Sequence, residues 1–168
     1  MTTQNQFTTK FASLKDYTVG DFENIDANPK HYVYSNIFDV AAKSKPWEKV
    51  VVGKNLRYVI EAIRAEGESP WYTVAHDEFA VVMDGEVTIQ FVKPEKPILD
   101  DDKDGAVLLE AKPAGQKMGY VKLKRGHQAL LPAGSAYQIS APDVGVIFLQ
   151  SCKGDLSIER WDEITHHH

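Results

Sequence analysis

The chain has 168 residues, 43% of them hydrophobic, and a formal net charge of −5, which suits a single domain with a sizeable core. The acidic balance, with runs such as Asp100-Asp101-Asp102 and no basic stripe, argues against a nucleic-acid partner. No apolar stretch approaches the roughly 18 residues of a membrane span, no signal peptide precedes the polar start Met1-Thr2-Thr3-Gln4, and the single cysteine, Cys152, precludes an internal disulfide framework, so a cytoplasmic protein is expected.

Residues 1–45 form a polar arm dotted with aromatics, among them Phe7, Phe11, Tyr17, Phe22, Tyr32, Tyr34 and Phe38. Such an arm has no core of its own and must lie on a barrel or on a partner. Residues 36–43 read as one short helix, stopped by Pro46. From Trp47 the pattern turns to strands: 48–52, a Gly53-Lys54-Asn55 turn, 56–65, and one long strand over 71–83. Asp84-Gly85 predicts a tight hairpin into a strand over 86–92, because Gly supplies the positive φ of a primed turn. A long acidic loop, 94–115, carries a short strand at 107–110. Strands at 119–123, 127–131, 136–140, 144–151 and 156–161 complete the series. Short strands separated by Gly, Pro and Asp turns indicate an all-β barrel or jelly roll over 46–165. His166, His167 and His168 read as a tag remnant and are left out of metal reasoning. Cys152, just after the apolar run 144–149, reads as a buried small hydrophobe.

Two segments carry the chemistry. In the first, Tyr72, Val74, His76 and Glu78 alternate and six residues separate Glu78 from Gly85. In the second, Gly126, Pro132, Gly134 and Tyr137 recur at fixed intervals. They resemble the two motifs of the cupin superfamily, His-x-His-x3-Glu-x6-Gly and Gly-x5-Pro-x-Gly-x2-His. The resemblance covers about half the chain and implies a single cupin-type jelly-roll barrel with an extended N-terminal arm and at most short helices. Alternate strand residues share a face, so Tyr72, Val74, His76, Glu78 and Ala80 are expected to face the interior.

A working cupin offers three imidazoles and a carboxylate to its ion. Here those positions hold Tyr72, Val74, Tyr137 and Glu78, and only Glu78 keeps its type. Iron or zinc asks for three or more N/O ligands, so no metal is expected in this chain. Glu78 should instead be held by hydrogen bonds from Tyr72, Tyr137 or His76, since a buried carboxylate without partners is costly. A rebuilt His76/Glu78/His127 site is the metalloenzyme alternative. Asp100, Asp102, Asp104 and Gly105 fit the start of a calcium loop. The closing Glu is missing, however, because position 111 is Ala, so a solvated loop is expected there.

Trp71, Phe79, Val81 and Met83 fall on the outward phase of the same segment yet are apolar. An antiparallel sheet normally shows water a polar outer face, so the arm, a second copy or another chain must cover them. The whole chain is similar to the small subunit of the two-subunit hydroquinone 1,2-dioxygenases in its size, its aromatic-dotted arm, the stretch from Pro70 to Phe79 and its degenerate centre. That resemblance implies a non-catalytic subunit, inactive alone and without a cofactor of its own. It would join a larger cupin chain that holds Fe(II), two of each, and the assembly would open an aromatic diol with O2. Trp71, Tyr72, His76 and Phe79 are then the candidates for the substrate pocket or interface, with Trp71 as its wall because an indole stacks on a phenolic ring while its N–H stays available. The alternative is a stand-alone module that binds a small molecule in a barrel lined by Tyr72 and Tyr137.

Overall fold

The computed structural model describes residues 13–15 and 35–164; the remaining arm residues and residues 165–168 lie outside the described residues. Asn36 opens helix α1 (Ile37–Lys43), its side-chain oxygen accepting from the N–H groups of Phe38 and Asp39. The sequence placed Asn36 in the helix; it is the cap, satisfying donors that a first turn leaves free. Phe38 and Ala41 on α1 pack against Val146, with Leu14 and Met83 beside them.

Ten strands follow: β1 (Lys49–Asn55), β2 (Tyr58–Glu68), β3 (Trp71–Thr73), β4 (Glu78–Asp84), β5 (Glu86–Pro94), β6 (Val107–Leu109), β7 (Gly115–Lys124), β8 (Gln128–Leu131), β9 (Ala136–Cys152) and β10 (Ser157–Ile158); helix α2 (Trp161–Ile164) ends the described chain. Strand β9 is the spine. Along one edge run β2 and then β3, with Glu68 opposite Ser140 and Tyr72 opposite Tyr137. Along the other run β4 and then β5, with Phe79 opposite Gln150 and Phe91 opposite Tyr137. β1 adds to β2, β8 to β4 and β7 to β5. The sheet therefore curls into a jelly-roll barrel whose interior is filled by alternate residues such as Val82, Ile89, Leu131, Ile139 and Ile147.

Five expectations need correction. The Asp84-Gly85 hairpin is absent: β4 and β5 do not pair with each other but lie end to end on β9. Gly85 has φ +79°, and a Cβ there would stand 2.9 Å from the Cα of Gly145, so the glycine serves a close crossing and not a primed turn. The long strand over 71–83 is broken at 74–77. There the second motif's turn docks, its Gly134 N–H donating to the Val74 carbonyl (2.8 Å) and its Ala133 N–H to the Asp77 carboxylate (2.8 Å). The turn expected at 53–55 sits at Leu56-Arg57, and the expected strands 136–140 and 144–151 are one continuous strand. The expected strand 156–161 shrinks to the two residues of β10 before α2 begins.

The apolar outer face has two fates. Its Met83 end lies in the cluster under α1 and Leu14, and Asp84 holds that corner by accepting the Leu14 N–H at 2.9 Å. Phe79 stays 47% exposed, beside Leu130 at 46% on β8. Among the described residues no helix is long and apolar enough to cross a membrane.

Candidate functional site in the barrel centre

Glu78 opens β4 with its side chain on the inward phase and is fully buried. One carboxylate oxygen accepts the Tyr137 hydroxyl at 2.7 Å and the other accepts the Ser151 hydroxyl at 2.6 Å. Tyr137 and Ser151 come from the two ends of β9. Of the three expected partners of Glu78, Tyr137 is found, Tyr72 and His76 are not, and Ser151 is added. Tyr72 stacks at a tilt on Tyr137, ring centroids 5.6 Å apart. Burial, followed by the charges of Glu61 and Glu78, pushes the Tyr72 phenol up to about 12, and burial, followed by Glu78, raises Tyr137 well above the ordinary phenol value. Both phenols are therefore neutral, and Tyr137 donates.

Two residues that motif reasoning passed over complete the centre. Lys49 enters from β1 and Glu61 from β2, 5% and 1% exposed respectively. The Lys49 ammonium lies 4.0 Å from Glu61, 4.0 Å from Glu78 and 3.4 Å from the Tyr137 hydroxyl, and 5.0 Å over the Tyr72 ring. Glu61 also accepts the Ser157 hydroxyl at 2.6 Å. A signal for Glu61 was present in the sequence. It interrupts an apolar run on the phase of Val59, Ile63 and Ala65, where a charge is rare unless paired. Lys49, heading Val50-Val51-Val52, is its matching charge. An apolar-lined cavity of about 350 Å³ opens at this end of the barrel and reaches Lys49 and Tyr72 past Trp47, Leu108 and Leu156.

Burial raises the Glu61 carboxyl above its ordinary value of 4.5, with Lys49 and Ser157 pulling it back down. A folded-state value above the unfolded one means that the folded chain binds the proton more tightly. Its contribution to stability is therefore present below pH 4.5 and lost as pH rises through the folded value. Glu61→Gln is expected to flatten the fall in urea midpoint between pH 4.5 and neutrality, read from unfolding curves of both chains across that range. An unchanged slope would mean that Glu61 titrates alike in both states.

The remaining candidates are dispersed. His76 does not share the centre: its Nε2 accepts the Gly105 N–H at 3.0 Å and its Nδ1 faces the Asp77 carbonyl. His127 lies on the outside, its Nδ1 accepting the Lys124 N–H at 3.2 Å. The His76/Glu78/His127 alternative is thus not assembled, because the break after Thr73 turns His76 toward the acidic loop. Val74 is wholly buried in the core. In the acidic loop Asp104 pairs with Arg57. Among the described residues no group of three or more His, Cys, Asp or Glu is placed to share an ion. Oxygen ligands bind iron or zinc near 2 Å, yet here an ammonium already stands within 4.0 Å of both carboxylates. The residues present do not fit the metal that a cupin fold implies. Trp71 is 8% exposed, packed with Val92, Ala136 and Leu109 and covered by the Lys112 ammonium 5.7 Å from its ring.

No family model and no curated protein sequence matches the chain. Among solved structures, a chain of hydroquinone 1,2-dioxygenase PnpCD, in complex with Cd2+ and 4-hydroxybenzonitrile, is 53% identical; 98% of this chain and all of that chain align, with a TM-score of 0.90. A chain of hydroquinone 1,2-dioxygenase from Sphingomonas sp. TTNP3, with 4-hydroxybenzoate bound, is 44% identical over 97% of this chain and 99% of that one, TM-score 0.90. A structure of PnpCD in complex with Fe3+ also contains a longer chain, of which 43% aligns at 12% identity and a TM-score of 0.59, a likeness of fold alone. A cupin-2 domain protein from Shewanella frigidimarina shares the fold at 17% identity and a TM-score of 0.50. Two near full-length matches at this identity, on a barrel whose centre retains the cupin carboxylate, place the chain in the hydroquinone 1,2-dioxygenase family.

Proposed function

We propose that the chain is the iron-free small subunit of a cytoplasmic, two-chain hydroquinone 1,2-dioxygenase. It stabilises a larger cupin chain that holds Fe(II) and helps to wall the pocket in which an aromatic diol is opened by O2. One contrast supports this reading above the others. The chain aligns from end to end, at 53% identity, with one chain of PnpCD, whereas a longer chain of the same enzyme shares only its fold. The donor set of its own centre points the same way, since phenols, an ammonium and two carboxylates supply no open ligand position for an ion.

The chain's own contributions are those of a wall and a scaffold. Phe79 and Leu130 offer an apolar outer surface to the larger chain. His76 fastens the loop around Gly105 to the break between β3 and β4. Trp71, packed against Leu109 and Lys112, keeps 8% of its surface exposed, which can bound a planar ring without adding a reactive group. Freed of its tag and supplied with Fe(II), the chain alone is expected to consume no hydroquinone. Co-expressed with the larger chain it should restore ring cleavage, with the mass of two copies of each. In that assembly Trp71→Phe is expected to raise KM for hydroquinone about threefold to tenfold with kcat little changed. Turnover by the lone chain would sink the reading, and purification from its native cell without a second chain would favour a stand-alone binding module.

A further inference from the structure

We propose that Lys49 is the resident cation of this barrel: its ammonium takes the electrostatic place that a metal ion takes in a metal-bearing cupin, and so keeps divalent metal out of the chain. The proposal deepens the iron-free subunit reading and rests on it, by naming the group that makes the centre iron-free. Four observations meet at one atom. The ammonium lies equally far, 4.0 Å, from Glu61 and from Glu78, and it faces the Tyr137 hydroxyl at 3.4 Å. Both carboxylates are within 1% of complete burial, where an unbalanced charge is far more costly than at the surface. The Glu61 oxygen nearest the ammonium has no hydrogen-bond donor, while the other accepts the Ser157 hydroxyl, so Lys49 is the charge that faces the open side of this carboxylate. Finally, Tyr137 stands at a former imidazole position and donates to Glu78, so the motif carboxylate is retained with a different partner cation. Two carboxylates around one compact positive charge also suit a divalent ion. With the ammonium in place, such an ion would have to displace it or sit against it.

The test uses the full chain, freed of its tag, with Co2+ as the probe, because bound Co2+ is read directly from its visible absorption. The wild-type chain and Lys49→Arg are expected to take up no Co2+. Lys49→Ala is expected to melt about 10 °C lower, to bind about one equivalent of Co2+, and to recover part of its melting temperature when the ion is added. Adding Glu78→Gln to Lys49→Ala should abolish the uptake. Uptake by the wild-type chain in the barrel overturns the proposal, and so does a folded Lys49→Ala chain that refuses Co2+. Should Lys49→Ala not fold, Lys49→Met combined with Glu61→Gln and Glu78→Gln decides, because that variant removes the whole charge set. Recovery of the fold supports the balance of charge. Failure to fold overturns it, since Lys49 would then act by packing alone. The subunit reading fails separately, by turnover in the lone chain or absence of a larger partner, neither of which moves the Co2+ result.

Discussion

Glu78→Ala is expected to destabilise the chain by about 3–5 kcal/mol, the cost of breaking a buried charge set by removing one member. The substitution leaves the Tyr137 hydroxyl without its acceptor, the Ser151 hydroxyl with only the Cys152 carbonyl at 3.1 Å, and the Lys49 ammonium with Glu61 alone. The orphaned Tyr137 donor adds about 1–3 kcal/mol of unmet desolvation, part of which overlaps with the loss of charge balance. Glu78→Gln separates the contributions. The amide keeps an oxygen for one hydroxyl but turns its NH2 group toward the other and removes the negative charge. Tyr137→Phe removes the hydrogen bond to Glu78 and the longer one from Lys49 but leaves the charge set, and should cost about 1–2 kcal/mol. Urea midpoints of the three variants at neutral pH check the order Glu78→Ala, then Glu78→Gln, then Tyr137→Phe. A cost below that of Tyr137→Phe for Glu78→Ala would show that Glu78 is a passive remnant of the cupin motif. Replacing a buried ion set wholesale with apolar groups is often neutral, so the loss is expected of single removals and not of the combined neutral variant.

The parts of this architecture that follow local rules were legible in the chain. The run 36–43 ahead of Pro46 reads as the helix and the short strands between Gly, Pro and Asp turns read as the barrel, because those residues answer to backbone geometry at their own positions; the intervals Glu78–Gly85 and Gly126–Pro132–Gly134 carry the resemblance to cupins. Tyr137 could be named as a partner of Glu78 for the same reason: the second motif fixes its phase. What local pattern could not give was pairing. Asp84-Gly85 has the composition of a hairpin, yet whether β4 folds back on β5 or lies end to end with it depends on β9, some sixty residues away. The break at 74–77 is likewise imposed by a distant turn, through Ala133 and Gly134. That break is why His76, two residues before Glu78 and on its phase in an ideal strand, ends up on the acidic loop. Lys49 and Glu61 escaped notice because neither belongs to a motif; only the register of β1 on β2, with Val50 opposite Ala62 and Val51 opposite Glu61, brings both inward. Trp71 reads in the sequence only as an apolar residue on the outward phase; that β6 and the chain after it pack Leu109 and Lys112 against it depends on a pairing some forty residues on.

A second large effect is expected at the outer face, where the subunit reading puts the larger chain. Phe79 and Leu130 are directly opposed across β4 and β8, each close to half exposed, with Val81, Phe148 and Ile60 half-buried around them. α1 covers the Val146 end of the sheet and stops short of this patch. An apolar pair in that setting contributes little to the chain's own fold, because much of its surface stays in water, and contributes most when a partner removes the rest. Phe79→Asp combined with Leu130→Asp should therefore leave the melting temperature of the isolated chain within a few degrees of wild type. The same pair would set two carboxylates side by side in a contact that must be dry. At about tenfold or more per desolvated charge, affinity for the larger chain falls by at least about a hundredfold. Titration of the two purified chains by calorimetry or by size-exclusion mass measurement checks this, with Lys117→Glu on the exposed strand β7 as a charge control away from the patch. Unchanged affinity would move the interface elsewhere on the barrel. A loss of self-association instead would assign the Phe79 face to a second copy of this chain, and the two outcomes are told apart by whether the species that disappears contains the larger chain.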